Sequence, residues 1–108
     1  MVLEITNENF DESILKSKGL VMVDCWATWC GPCRQLTQVI DKLEENNKDK
    51  MVTITKLNVD VASDSAVSLR VRSVPCVIFF KDGVEIVGGR IVGLKEIDVY
   101  QKSIDDFI

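Results

Sequence analysis

Two cysteine thiols, Cys30 and Cys33, lie three positions apart in the segment VDCWATWCGPCRQL, with Gly31 and Pro32 between them. Thiols at this spacing can carry out dithiol–disulfide exchange, in which one sulfur attacks a disulfide and the other resolves the mixed disulfide. Pro32 suits the first turn of a helix, where its missing N–H removes no hydrogen bond. If a helix begins at about Gly31, Cys30 lies at its N-terminal end.

The two sulfurs are expected to differ in acidity and in exposure. The unpaired amides and the dipole at a helix N-terminus favour an anion, so they should lower the pKa of Cys30, and the thiolate is the reactive species. Cys33 begins the apolar stripe of the same predicted helix and should be sheltered from solvent. The spacing therefore predicts an exposed attacking thiol at Cys30 and a covered resolving thiol at Cys33.

A half zinc site or a structural disulfide would use the same residue types. Zinc takes four ligands, but the chain has no histidine, and Cys25 and Cys76 are isolated on predicted buried strands. A chain of 108 residues can bury a core without a stabilising disulfide. Redox catalysis is therefore the favoured interpretation of the pair.

A carboxylate, Asp24, interrupts the apolar run LVMVDCWA six residues before Cys30. Such a run is typical of a strand covered on both faces. Burial of an unpaired carboxylate is costly and raises its pKa. Asp24 is therefore either paired within the core or retained for proton transfer.

Apolar periodicity and turn residues predict how the chain positions these groups. The order is βαβαβαββα, an α/β fold over residues 1–108 as a single domain, with about four helices around a central mixed sheet of five strands. The strands are predicted at VLEI, LVMVDCWA, VTITKLNV, CVIFF and VEIVGGRIV, and the helices at TNENFDESILKS, from Cys33 to about Asn46, at SDSAVSLRV and at the C-terminus. Gly88 and Gly89 predict a bulge, and KDG predicts a tight turn.

Charge and composition narrow the function classes. The net charge of −4 and the pI of about 4.8 argue against a nucleic-acid or anionic-membrane partner. No apolar stretch approaches the roughly 20 residues that span a bilayer, and no secretory signal is visible. A cytoplasmic, thiol-reducing location is expected. The lack of histidine excludes Ser-His-Asp, Cys-His and histidine–metal chemistry.

The segment WATWCGPCRQL resembles the active site of the thioredoxin family, and the similarity covers nearly the whole chain. TKLNVD around Lys56, VRSVP around Pro75, FFKDG and the later Gly93 resemble family landmarks in order and spacing. Trp-Cys-Gly-Pro-Cys followed by a downstream Val-Pro is a specific combination, more so than Cys-x-x-Cys alone. The resemblance implies a thioredoxin fold and a general protein-disulfide oxidoreductase that works as a reductase.

The same resemblance implies roles for individual residues. Asp24 would lie beneath the thiols and act through water as the base for Cys33, with Lys56 close by. Pro75 would be a cis-proline facing the thiols, and the backbone at Val74 would pair with an extended substrate segment. The apolar rim offered to targets would comprise Trp29, Gly31, Pro32, Val59, Ser73, Val74, Val92 and Gly93.

Partners are also implied by the resemblance. The chain would hold no cofactor or metal, and its electrons would come from NADPH through a flavoprotein thioredoxin reductase. Oxidised peroxiredoxins, ribonucleotide reductase and methionine sulfoxide reductases would be typical targets in cell redox homeostasis. A monomer is expected.

Three positions depart from the family pattern. Gln38 occupies the place of a helix proline, which predicts a weaker kink. Cys25 replaces an aromatic residue and Cys76 a threonine, and both are interpreted as small buried hydrophobes. Because Cys76 adjoins Pro75, it could also be a third thiol for regulation or for an alternative mixed disulfide.

Two other functions would suit the same fold. An oxidase or isomerase would normally carry histidine between the cysteines and work outside the cytosol. A redox-independent binding module or subunit would use the apolar rim, and its activity would survive Cys30→Ser. The Gly-Pro dipeptide argues against the first of these.

Overall fold

The computed structural model of the chain describes residues 2–108. Its strands alternate with helices in the predicted α/β order, with differences at the first helix and at the returning strand. The strands are β1 Leu3–Ile5, β2 Leu20–Trp26, β3 Val52–Asn58, β4 Cys76–Lys81, β5 Val84–Glu85 and β6 Ile91–Val92, and the helices are a π-helix at Asp11–Leu15, α1 Gly31–Asn46, α2 Ser63–Ser68 and α3 Ile97–Phe107.

The strands form one mixed sheet with β2 at its centre. The strand order is β1-β3-β2-β4-β5, and β6 also pairs with β4. β3 is parallel to both β1 and β2, whereas β4 is antiparallel to β2, β5 and β6. All residues of β2 except the last are buried. The predicted strand covered on both faces is thus confirmed.

Alternate residues of β2 enter two separate hydrophobic cores. Val21 and Cys25 pack with residues of the π-helix and α2. Met22 packs on the opposite face with residues of α1 and α3. Because side chains alternate along a strand, Asp24 and Cys25 belong to opposite faces of the sheet.

Helix α1 begins at Gly31 and ends at Asn46, as the sequence predicts. Its buried residues form the predicted stripe: Cys33, Leu36, Ile40 and Leu43. Burial of each leucine or isoleucine contributes roughly 2 kcal/mol, so this stripe holds α1 against the sheet. Gln38 is exposed, and α1 continues through it without interruption.

The returning strand is divided in two. β5 ends at Glu85 and β6 begins at Ile91. Between them Gly89 N–H donates a hydrogen bond to the Ile86 carbonyl oxygen (3.1 Å), and Gly88 has a φ of +76°. The predicted bulge is therefore wrong, because two successive glycines let the chain turn away completely, and the sheet gains a sixth strand.

The first helix is shorter than predicted, and α2 receives its cap from a distant residue. The π-helix Asp11–Leu15 includes a backbone hydrogen bond from Lys16 N–H to the carbonyl oxygen of its first residue (2.8 Å). Asn7 Oδ1 accepts hydrogen bonds from the N–H and the hydroxyl of Ser65, at 3.1 and 3.0 Å. Asn7 thus accepts a hydrogen bond from a backbone N–H in the first turn of α2, where the helix itself supplies no side-chain cap.

Candidate active site

Cys30 is the N-cap residue of α1, and Cys33 lies in the first helical turn. The backbone of Cys30 is extended (φ −94°, ψ 111°), so the chain turns into the helix directly after it. The N–H of Cys33 donates a hydrogen bond to Cys30 Sγ at 3.2 Å. The two residues form a disulfide, with their Cα atoms 5.2 Å apart. The predicted position of one sulfur at a helix N-terminus is confirmed.

The two cysteines differ less in exposure than the sequence predicts. Cys30 keeps 5 % of its surface exposed and Cys33 keeps none. Val59, after β3, and Val74, before β4, pack against the cysteine pair. The prediction of an exposed Cys30 is wrong in degree, because loops remote in sequence cover most of it. The predicted order of exposure holds.

The segment before β4 faces the cysteine pair. The Val74–Pro75 peptide bond is cis, as the family resemblance implies. Cys30 Sγ lies 3.7 Å from the carbonyl oxygen of Val74. This contact places a backbone carbonyl beside the sulfur that a substrate would have to approach.

A groove of about 100 Å³ lies next to this contact. Its lining residues are Trp29, Val59, Val71, Arg72, Ser73 and Val74. Trp29 has 69 % of its surface exposed, and its Nε1–H donates a hydrogen bond to Asp60 Oδ2 at 3.0 Å. Because this hydrogen bond uses only the indole N–H, the apolar face of the Trp29 ring stays available for contact with a partner. The groove thus brings together half of the predicted rim.

The remaining rim residues come from the start of α1 and from the end of β6. Gly31 and Pro32 directly follow Cys30, and Pro32 is exposed. Val92 is 53 % exposed. Gly93 N–H donates a hydrogen bond to the Pro75 carbonyl oxygen at 2.9 Å, which ties this end of the rim to the cis-proline segment.

Asp24 is a buried carboxylate on the α1 face of β2. Only 3 % of its surface is exposed, and burial raises its pKa to about 7, although the positive charge of Lys56 opposes that rise. Lys56 lies opposite Asp24 in the β2–β3 register and is 3.9 Å from Glu4 Oε1. A carboxyl group with a pKa near neutrality can both accept and release a proton under physiological conditions.

A cavity of about 110 Å³ adjoins Asp24. It is lined by Val2, Asp24, Trp26, Thr37, Ile40, Asp41 and Lys56. Within residues 2–108, Asp24 Oδ1 and Trp26 Nε1 make no hydrogen bond to a protein group. A polar cavity with two such atoms has the size and the partners that a bound water needs. Trp26 also packs against the cluster of Ala27, Cys30 and Cys33, so one side chain contacts both this cluster and the cavity.

Trp26, Thr37 and Asp41 line this cavity, although none of them is predicted from the sequence as a site residue. The spacing of Thr37 and Asp41 on α1, one turn apart, is the available signal, because residues four apart share a helix face. That signal becomes informative only once β2 is known to lie beneath this face.

Comparison with known proteins agrees with this geometry. The model of the Thioredoxin family matches residues 1–106. A thioredoxin of Chlamydia pneumoniae is 47 % identical over 96 residues, which cover 89 % of this chain and 88 % of the relative. A thioredoxin of Chlamydia muridarum is 43 % identical over 104 residues, 96 % of each chain. One of Pseudomonas aeruginosa is 37 % identical over 82 residues, 76 % of this chain and 75 % of the relative.

The chain belongs to the thioredoxin family. Its Cys-Gly-Pro-Cys motif is intact, and the two sulfurs lie within disulfide distance. The protein is therefore a thiol–disulfide oxidoreductase of this family, as the sequence predicts.

The two cysteines that depart from the thioredoxin pattern are both buried and free. Cys25 is fully covered, and Cys76 is 3 % exposed. Burial raises the pKa of both thiols. Their interpretation as small buried hydrophobes is consistent with this environment, and Cys76 does not reach the surface of the rim.

Residues 2–108 contain no group of three or more cysteine, aspartate, glutamate or histidine side chains placed to hold a metal ion. None of the helices in this range has the length and apolar character needed to cross a bilayer.

Proposed function

We propose that this thioredoxin-family protein is a general protein-disulfide reductase that cycles Cys30 and Cys33 between dithiol and disulfide. The observation that carries the proposal is the hydrogen bond from Cys33 N–H to Cys30 Sγ at the first turn of α1. A helix N-terminus and a backbone donor both stabilise a thiolate. Only one of the two sulfurs receives this stabilisation.

In the first step the Cys30 thiolate attacks a disulfide of the target. A bond forms between Cys30 Sγ and one target sulfur, and the other target sulfur leaves as a thiolate and takes up a proton. The target segment would lie along Val74, whose carbonyl oxygen is 3.7 Å from the attacking sulfur. Extended backbone pairing of this kind recognises a chain without requiring a particular side chain.

In the second step Cys33 resolves the mixed disulfide. Its thiolate attacks Cys30 Sγ, the bond to the target breaks, and the second target sulfur leaves as a thiolate. Asp24 would accept the proton of Cys33 through water in the adjoining cavity, which its pKa of about 7 permits. Lys56 lies opposite Asp24 and would favour the charged carboxylate before that transfer, which is the form that can accept the proton.

The electrons would come from NADPH through a flavoprotein thioredoxin reductase, with no cofactor held by this chain. Peroxiredoxins, ribonucleotide reductase and methionine sulfoxide reductases are the target classes we propose, in the cytoplasm and with the protein as a monomer. The single sheet that contains every strand of residues 2–108 supports a single-domain organisation.

The decisive experiment is reduction of insulin disulfides with NADPH and a bacterial thioredoxin reductase. Wild type should turn over, and Cys30→Ser should lose the activity. If wild type is inactive while reductase reduces its disulfide normally, the proposed target reduction is wrong. The alternative of a redox-independent binding module predicts that Cys30→Ser retains full biological activity in cells.

A further inference from the structure

Two cysteines outside the active site lie directly opposite each other in the sheet. In the antiparallel register of β2 and β4, Cys25 is the partner of Cys76. Both belong to the same hydrophobic core, on the face closed by the π-helix and α2. They therefore form a buried cross-strand thiol pair on the face opposite to Asp24.

This placement satisfies the main geometric requirement for a disulfide. Directly opposed residues of antiparallel strands have Cα atoms about 4.5–5.5 Å apart. Disulfides span Cα separations of about 4.4–6.8 Å. Neither strand would have to change its register for the sulfurs of Cys25 and Cys76 to bond.

The surroundings make the two thiols unequal. Cys25 is fully buried, whereas Cys76 begins β4 and keeps 3 % of its surface exposed. The positive charge of Arg90 opposes the larger effect of burial on the pKa of both thiols, so exposure is what distinguishes them. The Arg90 guanidinium is fixed by two contacts to Glu85, at 2.6 and 3.0 Å. We therefore expect a small oxidant to reach Cys76 before Cys25.

The thiol pair also adjoins the active site. Cys76 directly follows Pro75 and is the register partner of the rim residue Val92. Val59 packs both against the core that contains Cys25 and Cys76 and against the cluster of Cys30 and Cys33. A bond between Cys25 and Cys76 would link β2 to the first residue of β4, directly after the cis Val74–Pro75 segment.

We propose that Cys25 and Cys76 are a second dithiol–disulfide pair, oxidised by hydroperoxides. The Cys76 sulfur attacks one peroxide oxygen, the O–O bond breaks, and Cys76 becomes a sulfenic acid while the leaving oxygen takes up the Cys76 thiol proton to form water or an alcohol. Cys25 sulfur then attacks Cys76 sulfur, the S–O bond breaks, and the departing oxygen leaves as water with the Cys25 proton. The two thiols lose two electrons in total, and the peroxide gains them.

The test uses the full chain with Cys30→Ser and Cys33→Ser, so that Cys25 and Cys76 are the remaining cysteines. This variant is treated with excess hydrogen peroxide, unfolded, and alkylated. We expect loss of both free thiols and a tryptic species that joins the peptides 19–34 and 73–81. Wild type should also join these two peptides after peroxide, and fragmentation should place the link at Cys25, because its peptide 19–34 also contains Cys30 and Cys33. This result would show that the link does not arise from misfolding of the variant. Two alkylatable thiols, or two sulfinic acids without a link, would overturn the proposal.

Single-cysteine controls test the order of the steps. On the same background, Cys25→Ala removes the resolving thiol, so Cys76 sulfenic acid should accumulate and be trapped by dimedone. Cys76→Ala leaves Cys25 alone, and dimedone should label it at least about tenfold less, because it is fully buried. Equal labelling of the two controls would contradict the assignment of Cys76 as the first thiol oxidised.

Discussion

Asp24 of β2 and Lys56 of β3 are register partners in the central parallel pair of strands, and both side chains line the cavity of about 110 Å³ beneath α1. The lysine is half exposed, whereas the carboxyl group is almost fully covered. The lysine charge therefore reduces, without cancelling, the effect of burial on the pKa of Asp24. This balance makes Asp24 sensitive to pH near neutrality.

The stability of the oxidised protein should fall as the pH rises from about 4 to about 7 because of Asp24. Its pKa is raised from 3.8 to about 7, so across this range the folded chain keeps a proton that the unfolded chain releases. Full ionisation of Asp24 in the folded protein corresponds to a loss of roughly 4 kcal/mol in the free energy of unfolding. Asp24→Asn should not show this loss. The stability of Asp24→Asn relative to wild type should therefore increase by about 2–4 kcal/mol between pH 4 and pH 8. Urea unfolding at several pH values measures the difference.

Asp41→Asn is the matched control for that experiment. Asp41 lines the same cavity but is exposed on α1. Its variant should follow the wild-type dependence of unfolding free energy on pH. Parallel curves for Asp24→Asn and wild type would show that Asp24 is not the group responsible.

Resolution of the mixed disulfide should depend on Asp24 more than target binding does. Loss of general-base assistance costs about 10²–10⁴-fold when the transfer is rate-limiting, so Asp24→Asn should lower kcat for insulin reduction by at least about tenfold with little change in KM. In wild type the resolution rate should rise through about pH 7, as Asp24 ionises. Stopped-flow measurement of mixed-disulfide decay tests both effects, and equal decay in the two proteins would exclude the proton-transfer role.

Target binding should depend on Trp29. Its side chain is 69 % exposed, so Trp29→Ala should change the free energy of unfolding by no more than about 0.5 kcal/mol. Loss of an exposed aromatic contact should raise KM for protein targets by about tenfold. Val87→Ala is the control, because Val87 is 99 % exposed in the turn between β5 and β6. A similar KM for both variants would show that Trp29 does not contribute to target binding.

The KDG turn should tolerate no side chain at Gly83. This residue has a φ of +83°, and a Cβ there would collide with the backbone carbonyl of Leu15. Gly83→Ala should therefore destabilise the protein by about 2–4 kcal/mol. Gly88→Ala has a similar φ of +76° but open space around the new Cβ, so it should cost about 1 kcal/mol. Thermal unfolding distinguishes them, and equal losses would rule out the contact with Leu15.

Features set by neighbouring residues could be predicted from the sequence. Pro32 fixes the start of α1, and the apolar stripe that begins at Cys33 fixes its buried face. The KDG turn is confirmed by positive φ values at Asp82 and Gly83. In each case the relevant physical effect acts within one helical or hairpin turn.

Features that depend on remote segments could not be predicted in this way. Val59 and Val74 cover Cys30 from loops that only the folded sheet brings together. Asn7 caps α2 across 58 positions of the chain. The pairing of Cys25 with Cys76 follows from the register of β2 and β4, and a shift by one residue would abolish it. Periodicity gives the faces of strands but not their partners.

The most direct test of the account is the alkylation rate of each cysteine in the reduced protein at neutral pH. The Cys30 sulfur lies at the N-terminus of α1 and accepts a hydrogen bond from the Cys33 N–H, whereas Cys33 is fully buried. Iodoacetamide should therefore label Cys30 at least about tenfold faster than Cys33, as measured by peptide mapping over time. Labelling of both at the same rate would contradict the proposed division between attacking and resolving thiols.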